Sequence, residues 1–225
     1  MNIGTVGRVD EPVKTRRYSS ALRQERAAAT RERVLTAAQD LFLEHGWAGT
    51  TARDIAARAA VSLDTVYTAA GRKPQIMLEL VERAISGQDH AVPAAARDYV
   101  RALRAAPTAR AKIEIYATAL AVLLPRLAPL VQVLRQAAPT DDDCARLWRS
   151  IADRRAANML LFARDLRSTG DLRTDLSDEQ VADLVWSTNA PEYYLLLAER
   201  GWTPERYRDL VVDLWTRVLL ADRAQ

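Results

Sequence analysis

One cysteine, Cys144, stands in 225 residues. It cannot form an internal disulfide, and the chain is expected in a reducing cytoplasm. Histidine is almost as scarce: His45 falls at a predicted helix end and His90 in a predicted connection. Neither has a metal-binding partner at useful spacing, so no metal site is expected. No run of eighteen apolar residues occurs, which argues against a membrane span. The opening stretch MNIGTVGRVDEPVKTRR has no apolar secretory core. Gly4 and Gly7 follow no strand and so do not make a dinucleotide loop. A nucleophile elbow is missing too, and Cys144 has no histidine near it in sequence. Catalytic residues and cofactors are therefore not expected.

Glycine and proline are sparse, while Ala, Leu and Arg are abundant, which favours helices throughout and an all-α fold. The net charge of +3 is unevenly placed. Up to Gln75 there are twelve Lys and Arg against eight Asp and Glu; beyond it there are twenty against twenty-one. A mildly basic head on a near-neutral body suits DNA at one end and something else at the other. Residues 1–20 lack periodicity and include Arg8, Lys14, Arg16 and Arg17. They read either as a disordered tail or as a flexible basic arm reaching phosphates or the minor groove. Strong helix formers from Ser20 onward predict that the first helix starts well before Thr30.

The stretch from Thr30 to Lys73 carries the strongest pattern. Val34, Leu35, Ala38, Leu41 and Phe42 recur at i, i+1, i+4, i+7 and i+8, one face of a helix that Gly46 would end. Thr51-Ala52-Arg53-Asp54 opens a second helix, its acid suited to the positive start. Ser62 is a good N-cap for a third, through Tyr67. Two short helices joined by a tight turn and braced by a longer one make a helix-turn-helix, whose second helix enters the DNA major groove. Val34, Leu35, Ala38, Leu41, Phe42, Ile55 and Val66 are the expected core. Ser62, Leu63, Asp64, Thr65 and Thr68 are placed to face base edges. Thr51, Arg53, Tyr67 and Lys73 are placed to meet phosphates. The plainer alternatives are packing of Tyr67 on the first helix and a merely solvated Lys73.

These residues resemble the N-terminal domain of TetR-type transcriptional regulators over roughly residues 30–85. The family's pattern stands here as Thr50-Thr51-Ala52-Arg53-Asp54-Ile55-Ala56, Arg58-Ala59-Ala60-Val61-Ser62 and Thr65-Val66-Tyr67. Tyr67 and Lys73 match family positions that commonly touch phosphate. Three positions depart. Ala60 replaces the usual turn glycine, at a cost on the order of 1 kcal/mol if its φ is positive. Ala69-Ala70 replace a His-Phe pair. Asp64 either accepts from a cytosine amine or repels phosphate.

The resemblance implies a head at residues 21–75 and a helical ligand-binding and dimerisation domain at residues 76–225. Helices are expected over Gln75 to about Ile85, ending at Gly87; from Pro93, carrying Tyr99, Val100 and Leu103; and over Thr108 to Leu124. A break bracketed by Pro125 and Pro129 should precede a short helix. Asp141, Asp142 and Asp143 read as a helix start rather than a metal site. Ser177 to Gln180 is a capping box, and Pro191 should kink the helix that follows it and free the carbonyl of Ser187. The two apolar C-terminal helices, the last starting at Thr203-Pro204, resemble the family's dimer face; the alternative is that they pack only within the monomer.

A TetR-type body implies a pocket between helices, lined here by Tyr116, Trp148, Met159, Phe162, Trp186, Asn189 and Tyr193. Trp186, Asn189 and Tyr193, at i, i+3 and i+7 around the kink, are the favoured three. Glu114, the lone acid in an apolar helix, either meets a cationic ligand or pairs with a neighbour such as Lys112. The implied function is a homodimeric repressor, released from a palindromic operator in double-stranded DNA by an unknown small-molecule effector. The alternative is a helical dimeric ligand- or protein-binding protein whose head has lost DNA affinity.

Overall fold

Helix formers run unbroken from residue 20 to residue 45, and the first element is correspondingly long: α1 spans Lys14–His45. The protein, seen in a computed structural model, is described over residues 14–86 and 96–221, with side chains from residue 22 onward. The arm positions Arg8, Lys14, Arg16 and Arg17, together with Gly87, His90 and Pro93, have no described side chains. The helical backbone reaches back into the segment expected as an arm.

Gly46 ends α1 at φ 70, a left-handed conformation that costs glycine nothing, and its amide donates to Phe42 O at 3.0 Å. α2 (Ala52–Arg58) begins with a capping box in which Thr51 and Asp54 satisfy each other's amides. It ends through Ala60, at φ 53, with the Val61 amide donating back to Ala56 O at 3.0 Å. The expected strained alanine is therefore present. Ser62 caps α3 (Leu63–Ala70), its hydroxyl accepting from the Thr65 amide at 3.1 Å. α4 (Lys73–Ser86) follows, burying Ile76, Met77, Leu80 and Val81. All seven expected core residues of the head are buried.

The body is built around α6 (Ala109–Ala137), which packs against α4, α5 (Asp98–Ala105), α7 (Asp142–Arg167), α9 (Pro191–Glu199) and α10 (Pro204–Leu219). α6 is long and apolar enough to cross a membrane, but here it is the core of a helical bundle. The break expected at Pro125 and Pro129 does not occur, because both prolines sit within the one helix. Four residues apart, they share a face, on which Pro125 is exposed and Pro129 half-buried. The carbonyls they leave unpaired, on Ala121 and Pro125, therefore lie towards water, while Leu123, Leu124, Leu127 and Leu130 bury the opposite side.

A second correction falls at Pro191. The chain does not continue as one kinked helix; α8 (Asp178–Thr188) ends at Asn189, Ala190 is extended at ψ 140, and Pro191 starts α9. Proline is pre-set for a first helical turn, so a fresh start costs less than a kink. The freed carbonyls find side-chain partners: Trp186 O accepts from Arg155 and Thr188 O from the Tyr207 hydroxyl at 3.0 Å. The Trp215 indole donates to the Thr188 hydroxyl at 2.8 Å. Among the described residues the only β pairing is a single bridge, Leu172 to Leu220, which ties the α7–α8 connection to the end of α10.

The fold is thus all-α, an N-terminal three-helix helix-turn-helix domain followed by a larger helical domain. Lys112, 3% exposed, donates to Leu103 O and to Asp165, both at 2.9 Å, and so pins α5, α6 and α7 together. Its partner is not Glu114, which stays exposed and faces Arg110 at 3.9 Å.

Candidate functional site

Two regions combine exposure or emptiness with chemistry: the outer face of α3 and a cavity in the body. On α3, Ser62, Asp64, Tyr67 and Thr68 are exposed, and Leu63 and Thr65 are half-buried. Val66 and Ala70 turn inward. The Ser62 and Thr65 hydroxyls lie 2.7 Å apart, and the Thr68 hydroxyl donates to Asp64 O at 3.0 Å. Each keeps lone pairs outward, so the helix presents short, pre-ordered polar groups. Tyr67 is 47% exposed. Thr51 and Arg53 are exposed on α2 beside it. Arg72, just past Gly71, adds an exposed guanidinium that sequence reasoning passed over.

Lys73 behaves differently from its neighbours. Its ammonium donates to Trp47 O at 2.7 Å and Thr50 O at 2.9 Å and sits 4.2 Å from the centre of the Trp47 ring. Burial holds its pKa below the ordinary lysine value. Two of its three donors are therefore spent on the α1–α2 turn. Thr50, fully buried, finishes that turn by donating to Leu41 O at 3.0 Å or Gly46 O at 2.8 Å.

The same turn touches the body. Trp47 stacks on Phe42 with ring centres 5.5 Å apart, and its indole donates to Asp141 Oδ2 at 2.7 Å. Asp141 is the N-cap of α7, its other oxygen accepting from the Cys144 amide at 2.9 Å. One carboxylate therefore caps a body helix and holds the head. The Cys144 amide and then the Trp47 indole keep the Asp141 carboxyl below the usual carboxylate range. Sequence reading assigned Asp141 only its cap. A second joint runs through α4, where Arg31 of α1 donates to Ala69 O at the end of α3 and to Glu79 of α4 at 3.2 Å. Arg83 then links Glu79 to Glu32.

In the body, α4, α5, α6, α7 and the α8–α9 break enclose a cavity of about 820 Å³. Five of the seven expected ligand residues line it: Tyr116, Trp148, Met159, Phe162 and Asn189. Trp186 and Tyr193 do not. The new helix started by Pro191 abolishes the shared face: Trp186 turns outward at 37% exposure, and Tyr193 packs near Tyr207 at 6.4 Å. Tyr116 is wedged between Tyr99 at 6.3 Å, Phe162 at 4.9 Å and Trp215 at 5.9 Å. Burial pushes its hydroxyl far above the ordinary tyrosine value, so it stays protonated.

Asn189, 2% exposed, closes one end of the cavity. An amide's oxygen and nitrogen are told apart by their partners. Its neighbours are best satisfied when the nitrogen donates to Val185 O at 3.2 Å and Trp186 O at 3.1 Å and the oxygen accepts from the Tyr116 hydroxyl at 3.0 Å. The opposite orientation lets the oxygen accept from Arg155 Nε at 3.3 Å and the nitrogen donate to the Tyr116 hydroxyl at 3.0 Å and Met159 Sδ at 2.9 Å, but it sets the oxygen against the Val185 and Trp186 carbonyls. The first orientation therefore prevails. Glu82 and the arginines 97, 104, 154 and 155 also reach the cavity, and sequence reasoning named none of them. They lie on helix faces that read as solvated, and only the packing of four helices brings them together.

Residues 34–80 match the profile of bacterial regulatory proteins of the tetR family. No curated protein matches the chain. Solved structures share the fold at low identity. NalD, the secondary repressor of the MexAB-OprM multidrug efflux pump in Pseudomonas aeruginosa, superposes with a TM-score of 0.70 at 18% identity, covering 88% of this chain and 100% of its own. SmeT in complex with triclosan gives 0.67 at 21% identity, covering 86% and 93%. The MbdR regulator from Azoarcus sp. CIB gives 0.63 at 22% identity, covering 85% and 100%.

Proposed function

We propose, from the premise that this chain is a TetR-type transcriptional regulator, that it works as a homodimeric repressor whose grip on DNA depends on a small molecule in the body cavity. The observation that carries the reading is that two helices serve both ends. α4 lines the cavity with Glu82 and Ile85 and holds the head through Lys73 and Glu79. α7 lines it with Trp148, Arg155 and Phe162 and holds the head through Asp141. A ligand that shifts either helix changes the head's attitude, and its differential affinity for the two arrangements sets the response. NalD's role as a repressor and SmeT's complex with triclosan support this assignment.

In this reading Ser62, Leu63, Asp64, Thr65 and Thr68 meet base edges, while Thr51, Arg53, Tyr67 and Arg72 meet phosphates. Lys73, with one donor to spare, positions the α1–α2 turn first and touches phosphate second. Head and body are residues 21–75 and 76–225, with α4 as the shared lever. α8–α9 and α10 form the dimer face through half-exposed apolar residues such as Leu184, Leu195 and Leu214. Two recognition helices then sit roughly 34–36 Å apart on a palindrome. Burial pushes the Cys144 thiol up to about 12, so it stays protonated at neutral pH and takes no part in this regulatory reading.

A gel-shift against the promoter upstream of its own gene tests the DNA half. The protein should shift that fragment as a dimer of 25.1 kDa subunits. Arg53→Ala should lower the salt slope by about 1, and Tyr67→Phe should weaken binding uniformly across sequences. Failure to shift the fragment would favour the ligand-binding dimer with an inactive head, for which the exposed Asp64 carboxylate is the specific argument.

A further inference from the structure

The charges around the cavity are not balanced among the described residues. Four arginines reach it against two carboxylates, Glu82 and Asp165. Both carboxylates are already engaged. Glu82 meets Arg154 at 2.6 Å and Arg97 at 4.0 Å, and Asp165 accepts from Lys112 at 2.9 Å. Arg155 has no carboxylate within ion-pairing distance among the described residues. Its guanidinium lies 4.6 Å from the centre of the Trp186 ring, and one Nη2 hydrogen goes to Trp186 O. With the Asn189 amide turned to satisfy Val185 and Trp186, Arg155 Nε faces an NH₂ group and finds no acceptor. Among the described residues Nη1 has none either. Four N–H donors of one rigid fork thus stand at the polar end of an otherwise apolar chamber walled by Leu120, Leu124, Tyr116, Trp148 and Phe162.

We propose that the cavity takes an amphipathic carboxylate, an aryl or medium-chain aliphatic acid with its tail among those walls and its carboxylate on Arg155. The proposal rests on the reading of this cavity as the effector site. A guanidinium fork matches a carboxylate with two parallel hydrogen bonds, and few partners other than oxyanions can use it. A cation has nothing comparable, since each carboxylate is held by an arginine or lysine and the faces of Tyr116 are covered by Tyr99 and Trp215. A neutral alcohol would leave the guanidinium half-buried without a counter-charge. Burial already lowers the Arg155 pKa, the mark of a cation that gains from an incoming anion. The volume admits a drug-sized molecule.

Calorimetry on the full chain with three probes built on an eight-carbon chain tests this: octanoate, octan-1-ol and octyltrimethylammonium. Octanoate should bind at least about tenfold more tightly than either other probe, as a charged fork adds to a common tail. Arg155→Gln should remove most of that margin while leaving octan-1-ol unchanged, which also shows that the cavity remains formed. Arg155→Lys should restore part of it, and Arg104→Gln, at the exposed rim, should change it less than about threefold. The proposal falls if the alcohol or the ammonium binds as well as octanoate, if Arg155→Gln leaves the margin intact, or if no probe binds at millimolar concentration. Binding is read without DNA, so the two readings can fail separately. Octanoate held by Arg155 without effect on the promoter fragment would sink only the effector role. Release of DNA by octan-1-ol or octyltrimethylammonium would sink only the ligand class.

Discussion

The hydrogen bond from Trp47 to Asp141 can be weighed by a double-mutant cycle. Trp47→Phe keeps the stack on Phe42 and a ring beneath Lys73 but removes the indole donor. Asp141→Ser keeps an oxygen for the Cys144 amide, because serine is as good an N-cap, but is too short to reach Trp47. A bond to a charged acceptor contributes about 1.5–3 kcal/mol, and water at the half-open Asp141 side reduces that to about 1 kcal/mol. Trp47→Phe also loses roughly 40 Å² of buried ring, about another 1 kcal/mol. The single variants should then cost about 2 and 1.5 kcal/mol, the serine losing some dipole complement as well. The double variant should fall short of their sum by about 1 kcal/mol, near 2–4 °C in melting temperature for a chain of this size. Urea unfolding followed by far-ultraviolet circular dichroism is the assay, since it does not depend on the tryptophan removed. Additivity within about 0.3 kcal/mol would mean that head and body are not joined at this contact.

Ala60→Gly should stabilise the protein by about 0.5–1 kcal/mol, since relief of a left-handed alanine outweighs the entropy glycine adds to the unfolded chain; a thermal melt checks it. The lowered Asp141 pKa has a pH consequence of definite sign. Its stabilising contribution is complete above the ordinary aspartate range and is lost as pH falls through the depressed folded-state value. Asp141→Asn should therefore be less stable than the parent at neutral pH, the gap beginning to close near about pH 4, where the unfolded carboxyl titrates, and closing only below the depressed folded-state value.

The head was legible because its signals are local. Thr51, Ser62 and the spacing of Val34, Leu41, Ile55 and Val66 each state their structural role within a few residues. The same locality misled at the prolines. Pro125 and Pro129 were read from the chain alone as a break, but the burial of α6 on one side decides that the helix continues. Pro191 was read as a kink, and the difference between a kink and a restart moved Trp186 and Tyr193 out of the cavity. Arg155 and Trp47 were not legible at all. One looks like a solvated helix charge and the other like a turn aromatic, until partners 31 and 94 residues away are brought to them.

α6 also matters while the chain is being made. About 43 Å long at 1.5 Å per residue, it leaves the ribosome before the helices that cover it on two sides, α7 and α10. Roughly eighty further residues must be added, which takes about 4–16 s at about 5–20 residues per second. During that interval the nascent protein carries a greasy rod as long as a bilayer is thick, and chaperone capture should concentrate there. Translation pauses placed after α6 would prolong the hazard, and faster decoding of the segment up to α10 would shorten it.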